Sequence, residues 1–207
     1  IPYTRHIDDT TIKTKEGYLL KVIKVEGLPF ETADQIHINQ RKTIRSTLLR
    51  GLSNSRFAVY HHIIRRESKD DMNSFFENAW CKELDTAYQK RLSTKRMFVN
   101  EQYLTVVRRP AQSAISFMAE ISRTLFSKVD RELAGQYERQ SHAALNEAVS
   151  NILTTLSPYQ PRVLGIKTTD NGLFSESLSF LSYLVNLEKT DIRLPHRTIA
   201  DYLPSKR

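Results

Sequence analysis

The sequence predicts an α+β fold: a mixed β-sheet with flanking helices, followed by a mainly helical second lobe. Three observations predict it. Before position 110, short β-branched and aromatic runs are bracketed by Gly, Pro and Asn turn signals. One segment in the middle places apolar residues at three- and four-residue steps. From position 111 to 157 the pattern is helical almost throughout.

The elements follow in order. Residues 10–15 and 18–26 form two β runs around "EG", where Gly17 supplies the positive φ of a tight turn. In the second run Leu20, Val22 and Lys24 point one way and Leu19, Lys21, Ile23 and Val25 the other, so neither face is polar and the strand is covered on both sides. Asp34 caps a helix carrying Ile44, Leu48 and Leu52, and "RFAVYHHIIRRE" is read as a central strand over 56–65. In "SKDDMNSFFENAWCKELDTAYQKRLS", Ser68 with Asp71 matches a capping box. The stripe of Met72, Phe76, Ala79, Trp80, Leu84, Ala87, Tyr88 and Leu92 in that helix is read as core. "RMFVNEQYLTVVRRP" reads as two strand-like runs around Asn100 and Glu101, ended by Pro110.

Pro110 divides the chain into an α+β lobe at 1–109 and a helix-rich lobe with a β-hairpin at 110–207. In the second lobe Ile115, Met118, Ile121, Leu125 and Val129 form one apolar series, and Leu145, Val149, Ile152, Leu153 and Leu156 another. A single helix over both would be about 70 Å long at 1.5 Å per residue, which predicts a break near Gly135. "RVLGIKTTDNGLFSE" is a strand entering an Asp-Asn-Gly turn, Ser175 opens an apolar helix through Leu187, and the remainder is a loop with one short turn.

With 40% hydrophobic and 26% charged residues, the composition is that of a globular chain with no run of some twenty apolar residues. Beginning at Ile1 and stopping at "DYLPSKR", it reads as an excised piece. A lone cysteine, Cys81, cannot form an internal disulfide and suits a reducing compartment. The net charge of +8 attracts phosphates, anionic headgroups or acidic proteins without choosing among them.

Catalytic motifs are missing from the sequence. A phosphate loop needs G-x-x-x-x-G-K-[ST], and "GIKTTD" at Gly165 lacks the earlier glycine, so it reads as a strand end. His6, His37, His142 and His196 are scattered, and His61 and His62, adjacent on a strand, point to opposite faces and cannot grip one metal together. Asp8 and Asp9 read as ordinary surface acids. Catalytic, cofactor and metal residues are therefore expected to be none.

One constellation stands above background: two strands end in paired arginines, Arg65 with Arg66 and Arg108 with Arg109. Guanidinium groups grip phosphate or carboxylate in a bidentate fashion. If the two strands were parallel neighbours, the four would cluster at one sheet edge, with Tyr60 and Tyr103 as stacking surface for single-stranded nucleic acid. These four arginines are the candidate partner or anion contacts. Solvated strand ends are the simpler account, and the alternative function is a basic nucleic-acid-binding module.

Several stretches extend the reading. Ile1, Pro2, Tyr3, Gly17, Gly27, Phe30, Glu31 and Thr32 in the opening segment resemble the start of the CagE/TrbE/VirB family, the ATPases of type IV secretion and conjugation machines. "LDTAYQKRL", "FVNEQYLTVVRRP", "LSPYQPRVLGI" and "DNGLFSESLSFLSYLVN" continue the likeness in order. The resemblance implies an N-terminal assembly and docking domain, bacterial, cytoplasmic and peripheral to the inner membrane. Its implied partners are inner-membrane secretion proteins and other copies in the full-length protein, with anionic lipid as a further contact and nucleic acid disfavoured. It implies no cofactor in this fragment, with ATP and Mg bound only in a C-terminal domain beyond it.

Overall fold

The computed structural model describes residues 2–27, 33–52, 56–68, 75–110 and 128–203, excepting the side chains of 128–131. A six-stranded sheet runs in the order β1-β2-β3-β5-β4, with β6 also on β3. Its strands are β1 (Tyr3–His6), β2 (Ile12–Thr14), β3 (Leu19–Val25), β4 (Phe57–Ser68), β5 (Met97–Arg108) and β6 (Arg162–Val163). A separate hairpin joins β7 (Ile166–Thr169) to β8 (Gly172–Ser175). Four helices accompany them among the described residues: α1 (Gln35–Gly51), α2 (Ala79–Ser93), α3 (Lys128–Thr155) and α4 (Glu176–Asn186). The class is α+β, and every ladder among the described residues is antiparallel.

Strand β3 is the centre, as its two apolar faces demand. Leu20 and Val22 face one core, with Ile12, Leu164, Leu178 and Ile199. Leu19, Ile23 and Val25 face the other, with Val106, Leu145, Val149 and Ile152. Residues from both sides of Pro110 build each cluster. Gly17 has φ 81°, the left-handed geometry that the β2–β3 turn requires. Among the described residues, no helix is long and apolar enough to cross a membrane.

The second half follows the pattern closely. Asp170 and Asn171 make the β7–β8 turn, and the Ser175 hydroxyl accepts from the Leu178 N–H at 3.2 Å as the cap of α4. Leu187 ends that helix at φ 57°. Leu145, Val149, Ile152 and Leu156 are all buried. Helix α3, however, runs through Gly135 unbroken. One glycine costs a helix only about 1 kcal/mol, less than those four buried side chains contribute together. The series at Ile115, Met118, Ile121 and Leu125 lies outside the described residues.

Four other expectations are corrected. Strand β4 is an edge, not a central strand, and it starts at Phe57. β5 is one strand, not two runs, because Asn100 and Glu101 keep their register opposite Arg65 and Ile64. Ser68 ends β4, and α2 begins at Ala79, eleven residues later, capped by Asn78, whose Oδ1 accepts from the Trp80 N–H at 2.9 Å. Asp71 and Met72 lie outside the described residues. The α2 stripe is not core, since α2 buries none of its residues.

Candidate docking surface

Register decides where the arginines go. Because β4 and β5 pair antiparallel, Arg65 lies opposite Asn100 and Arg66 opposite Val99, while Arg108 lies opposite Phe57. Eight residues of strand, roughly 27 Å, separate Asn100 from Arg108, so the two arginine pairs sit at opposite ends of the ladder and the single cluster that parallel pairing would make does not form. The tyrosines separate as well: Tyr103 packs on Phe180 at 4.4 Å between ring centroids, while Tyr60 stays exposed.

Each arginine has its own surroundings. Arg65 lies over the Phe98 ring at 4.6 Å, and Arg66 Nε donates to Glu101 at 3.0 Å. Burial would raise the Glu101 carboxyl, but the hydrogen bonds from Arg66 and Tyr103 outweigh it and hold the group below its ordinary value. The same arrangement, burial first and then the Glu101 charge, pushes the Tyr103 hydroxyl up to about 12. Arg109 is exposed, and its backbone N–H donates to the Arg56 carbonyl at 2.7 Å. Arg108 is buried over the Phe57 ring at 4.8 Å.

Strand β3 pairs with β5 only from Arg108 to Gln102. Met97–Glu101 and Ile64–Ser68 therefore continue as a two-stranded arm beyond the sheet, and α2 joins the two strands at its end. On α2, Cys81, Asp85, Gln89 and Leu92 are partly covered, at helical spacing. The adjoining row presents Trp80, 67% exposed, with Leu84 at 56% and Tyr88 at 54%. Phe98 is also exposed on the arm, and Ile63 is exposed just before it. Arg96 makes two hydrogen bonds to Glu67, at 3.2 and 3.0 Å, across the arm. An exposed apolar row of this size is unusual for a lone soluble surface and is characteristic of a contact site.

Away from the arm, Asp8 is an anchor rather than a loose surface acid. Its Oδ1 accepts from the backbone N–H groups of Thr10 at 2.8 Å and Thr11 at 2.7 Å, and its Oδ2 meets His142 Nε2 at 2.6 Å. This ties the β1–β2 loop to α3. Glu138, one turn before His142, binds Arg5 at 2.9 Å and also Lys13. The legible signal was "DDTT", in which a carboxylate precedes two backbone donors in the manner of an Asx turn.

His6 Nε2 lies 3.1 Å from the Ser175 hydroxyl, but that serine is fully buried and serves as the α4 cap. His61 and His62 do face opposite ways: His61 is exposed and His62 packs on Phe180. Among the described residues no group of three His, Cys, Asp or Glu is placed to hold a metal. "GIKTTD" continues from Gly165 into strand β7.

The profile of a family described as "Type IV secretion system ATPase VirB4/TrbE, N-terminal domain" matches residues 10–115. The chain belongs to this family. The matched stretch runs from the β2–β3 hairpin through the whole arm and α2. The VirB4/TrbE assignment extends to whole-chain similarity. The chain is 31% identical over 214 residues to the type IV secretion system protein PtlC of Bordetella pertussis, covering 100% of this chain and 25% of PtlC. It is 32% identical over 212 residues to the type IV secretion system protein virB4 of Brucella suis, covering 98% of this chain and 25% of that protein. The virB4 protein of Bartonella quintana is 30% identical over 209 residues, covering 100% of this chain and 26% of its own length. The chain thus spans about a quarter of the curated relatives it matches.

Proposed function

We propose that this VirB4/TrbE domain is an assembly and docking module of a type IV secretion ATPase, acting from the cytoplasmic side at the inner membrane. In this reading it contacts inner-membrane components of the machine and other copies of the full-length protein. ATP and Mg are bound by a C-terminal domain beyond this chain, whose hydrolysis energises secretion or conjugation.

The observation that carries the proposal is the outward apolar row of α2. A row that stabilises the fold is turned inward, whereas Trp80, Leu84 and Tyr88 lie more than half exposed at the end of an arm. Large aromatic side chains at a projecting site are the anchors that protein interfaces use most. Nucleic acid is disfavoured because the paired arginines occupy opposite ends of the ladder and form no continuous track.

Trp80 is the chain's one tryptophan, so its emission reports on this row directly. Titration with soluble segments of inner-membrane secretion components should shift that emission to the blue, with little change between low and physiological salt. Parallel titrations with single-stranded DNA and with anionic vesicles should leave it unchanged or respond only at low salt. A salt-resistant shift with DNA and none with the secretion components would overturn the reading.

A further inference from the structure

A second place on the surface has the character of a specific anion site. Between α1 and α3, over the end of the sheet away from the arm, lies a cleft of about 470 Å³. Phe57 and Arg108 form its base, Leu48 and Ile152 stand on its two walls, and Glu147 and Asn151 lie toward solvent. Arg108 is only 9% exposed, and its Nε has no hydrogen-bond partner among the described residues. Glu147 lines the same cleft yet forms no ion pair with Arg108 among the described residues. The Nε–H is withdrawn from water with no acceptor beside it, which is costly to hold, and an incoming carboxylate that reaches the guanidinium relieves that cost through charge-assisted hydrogen bonds.

We propose that this cleft is a carboxylate-binding pocket that receives an acidic side chain of a partner polypeptide, with the partner's neighbouring apolar residues on the Leu48 and Ile152 walls. Charge complementarity selects the occupant: one buried cation with apolar walls fits a monoanionic carboxylate on a hydrocarbon stem, whereas a doubly charged phosphate would face Glu147 with little to balance it. The proposal rests on the docking reading and adds to it the chemistry of one contact. It lies at the opposite end of the β4–β5 ladder from α2, so the two are tested separately.

The test uses the whole chain and two fluorescein-labelled peptides, acetyl-Leu-Glu-Leu-Glu-Leu-amide and its Gln counterpart, followed by fluorescence polarisation. The Glu peptide should bind at least about tenfold more tightly than the Gln peptide, because the Gln side chain offers no charge to the guanidinium. Arg108→Met should abolish that preference. Because Arg108 is buried and its replacement could disturb folding, substitutions at two exposed positions keep the test decisive. Glu147→Gln should strengthen Glu-peptide binding about threefold by removing a like charge, and Asn151→Trp should block it by filling the mouth. Thermal melts confirm that both variants stay folded. Equal binding of the two peptides, or no response to Glu147→Gln, would overturn the proposal, as would inorganic phosphate displacing the Glu peptide at equimolar concentration. Failure here with an intact Trp80 response would remove the pocket and leave the α2 reading standing. Loss of the Trp80 response with a clear Glu preference would do the reverse.

Discussion

Replacing Trp80 with Ala separates a docking row from a core row by its effect on stability alone. A buried Trp truncated to Ala costs about 3–5 kcal/mol. Trp80 is 67% exposed, so only about a third of its surface is covered, and the loss scales to roughly 1–1.7 kcal/mol. Ala is the better helix former, which returns a few tenths of a kcal/mol. The net expectation is about 1 kcal/mol, or about 2–4 °C in Tm for a chain of this size. Ile152, fully buried between α3 and the sheet, is the internal comparison. Ile152→Ala should cost about 2–5 kcal/mol. Urea denaturation followed by far-ultraviolet circular dichroism measures both without relying on the missing tryptophan. Should Trp80→Ala lose as much as Ile152→Ala, the stripe is core after all and the account of the arm fails.

Three further expectations follow from particular residues. Asp8 is buried in part, which would raise its carboxyl, but hydrogen bonds from Thr10, Thr11 and His142 and the charge of Lys21 hold it well below the ordinary range. The unfolded chain therefore takes up that proton first as pH falls. The Asp8 contribution to stability is fully present above about pH 4 and is lost as acid carries the pH down toward the folded value. Asp8→Asn should flatten the acid limb of a stability–pH curve below that point, and an unchanged limb would dismiss the anchor. Gly17→Ala should destabilise by about 1–2 kcal/mol because φ is 81° there. Gly135→Ala, inside α3 with nothing nearer to the new Cβ than Arg139 at 3.9 Å, should stabilise by about 0.5–1 kcal/mol. Thermal melts that showed the same sign for both glycine variants would contradict the turn and helix assignments.

What the sequence carried was mainly local. The two-sided apolar pattern of Leu19–Val25 marked β3 as covered on both faces, and "DNG" followed by Ser175 placed a hairpin and a capped helix, because turn chemistry and strand period act over a few residues. Direction and partner choice are decided at longer range, and there the sequence was silent. Nothing in "RRE" or "VVRRP" says that their strands run antiparallel, so the four arginines could be grouped on paper although the ladder holds them apart. The α2 stripe shows the same limit: amphipathic spacing identifies a face that seeks cover without saying whether the chain itself supplies it. Glu83 and Arg91 fall on the same side of that helix by their spacing, and charges within the stripe fit an outward face. Glycine at position 135 was read as a break because its local cost is visible and the buried contacts that outweigh it are not.

The most direct test of the docking account places a photo-crosslinking amino acid at position 84 of the full-length protein, in cells with an assembled secretion machine, and at exposed Thr86 as a control. The account predicts a crosslink from position 84 to an inner-membrane component of that machine, weaker or missing at position 86 and lost when Trp80 and Tyr88 are replaced by Ser. Crosslinks from both positions in equal yield, or from position 84 only to the protein's own C-terminal domain, would contradict it.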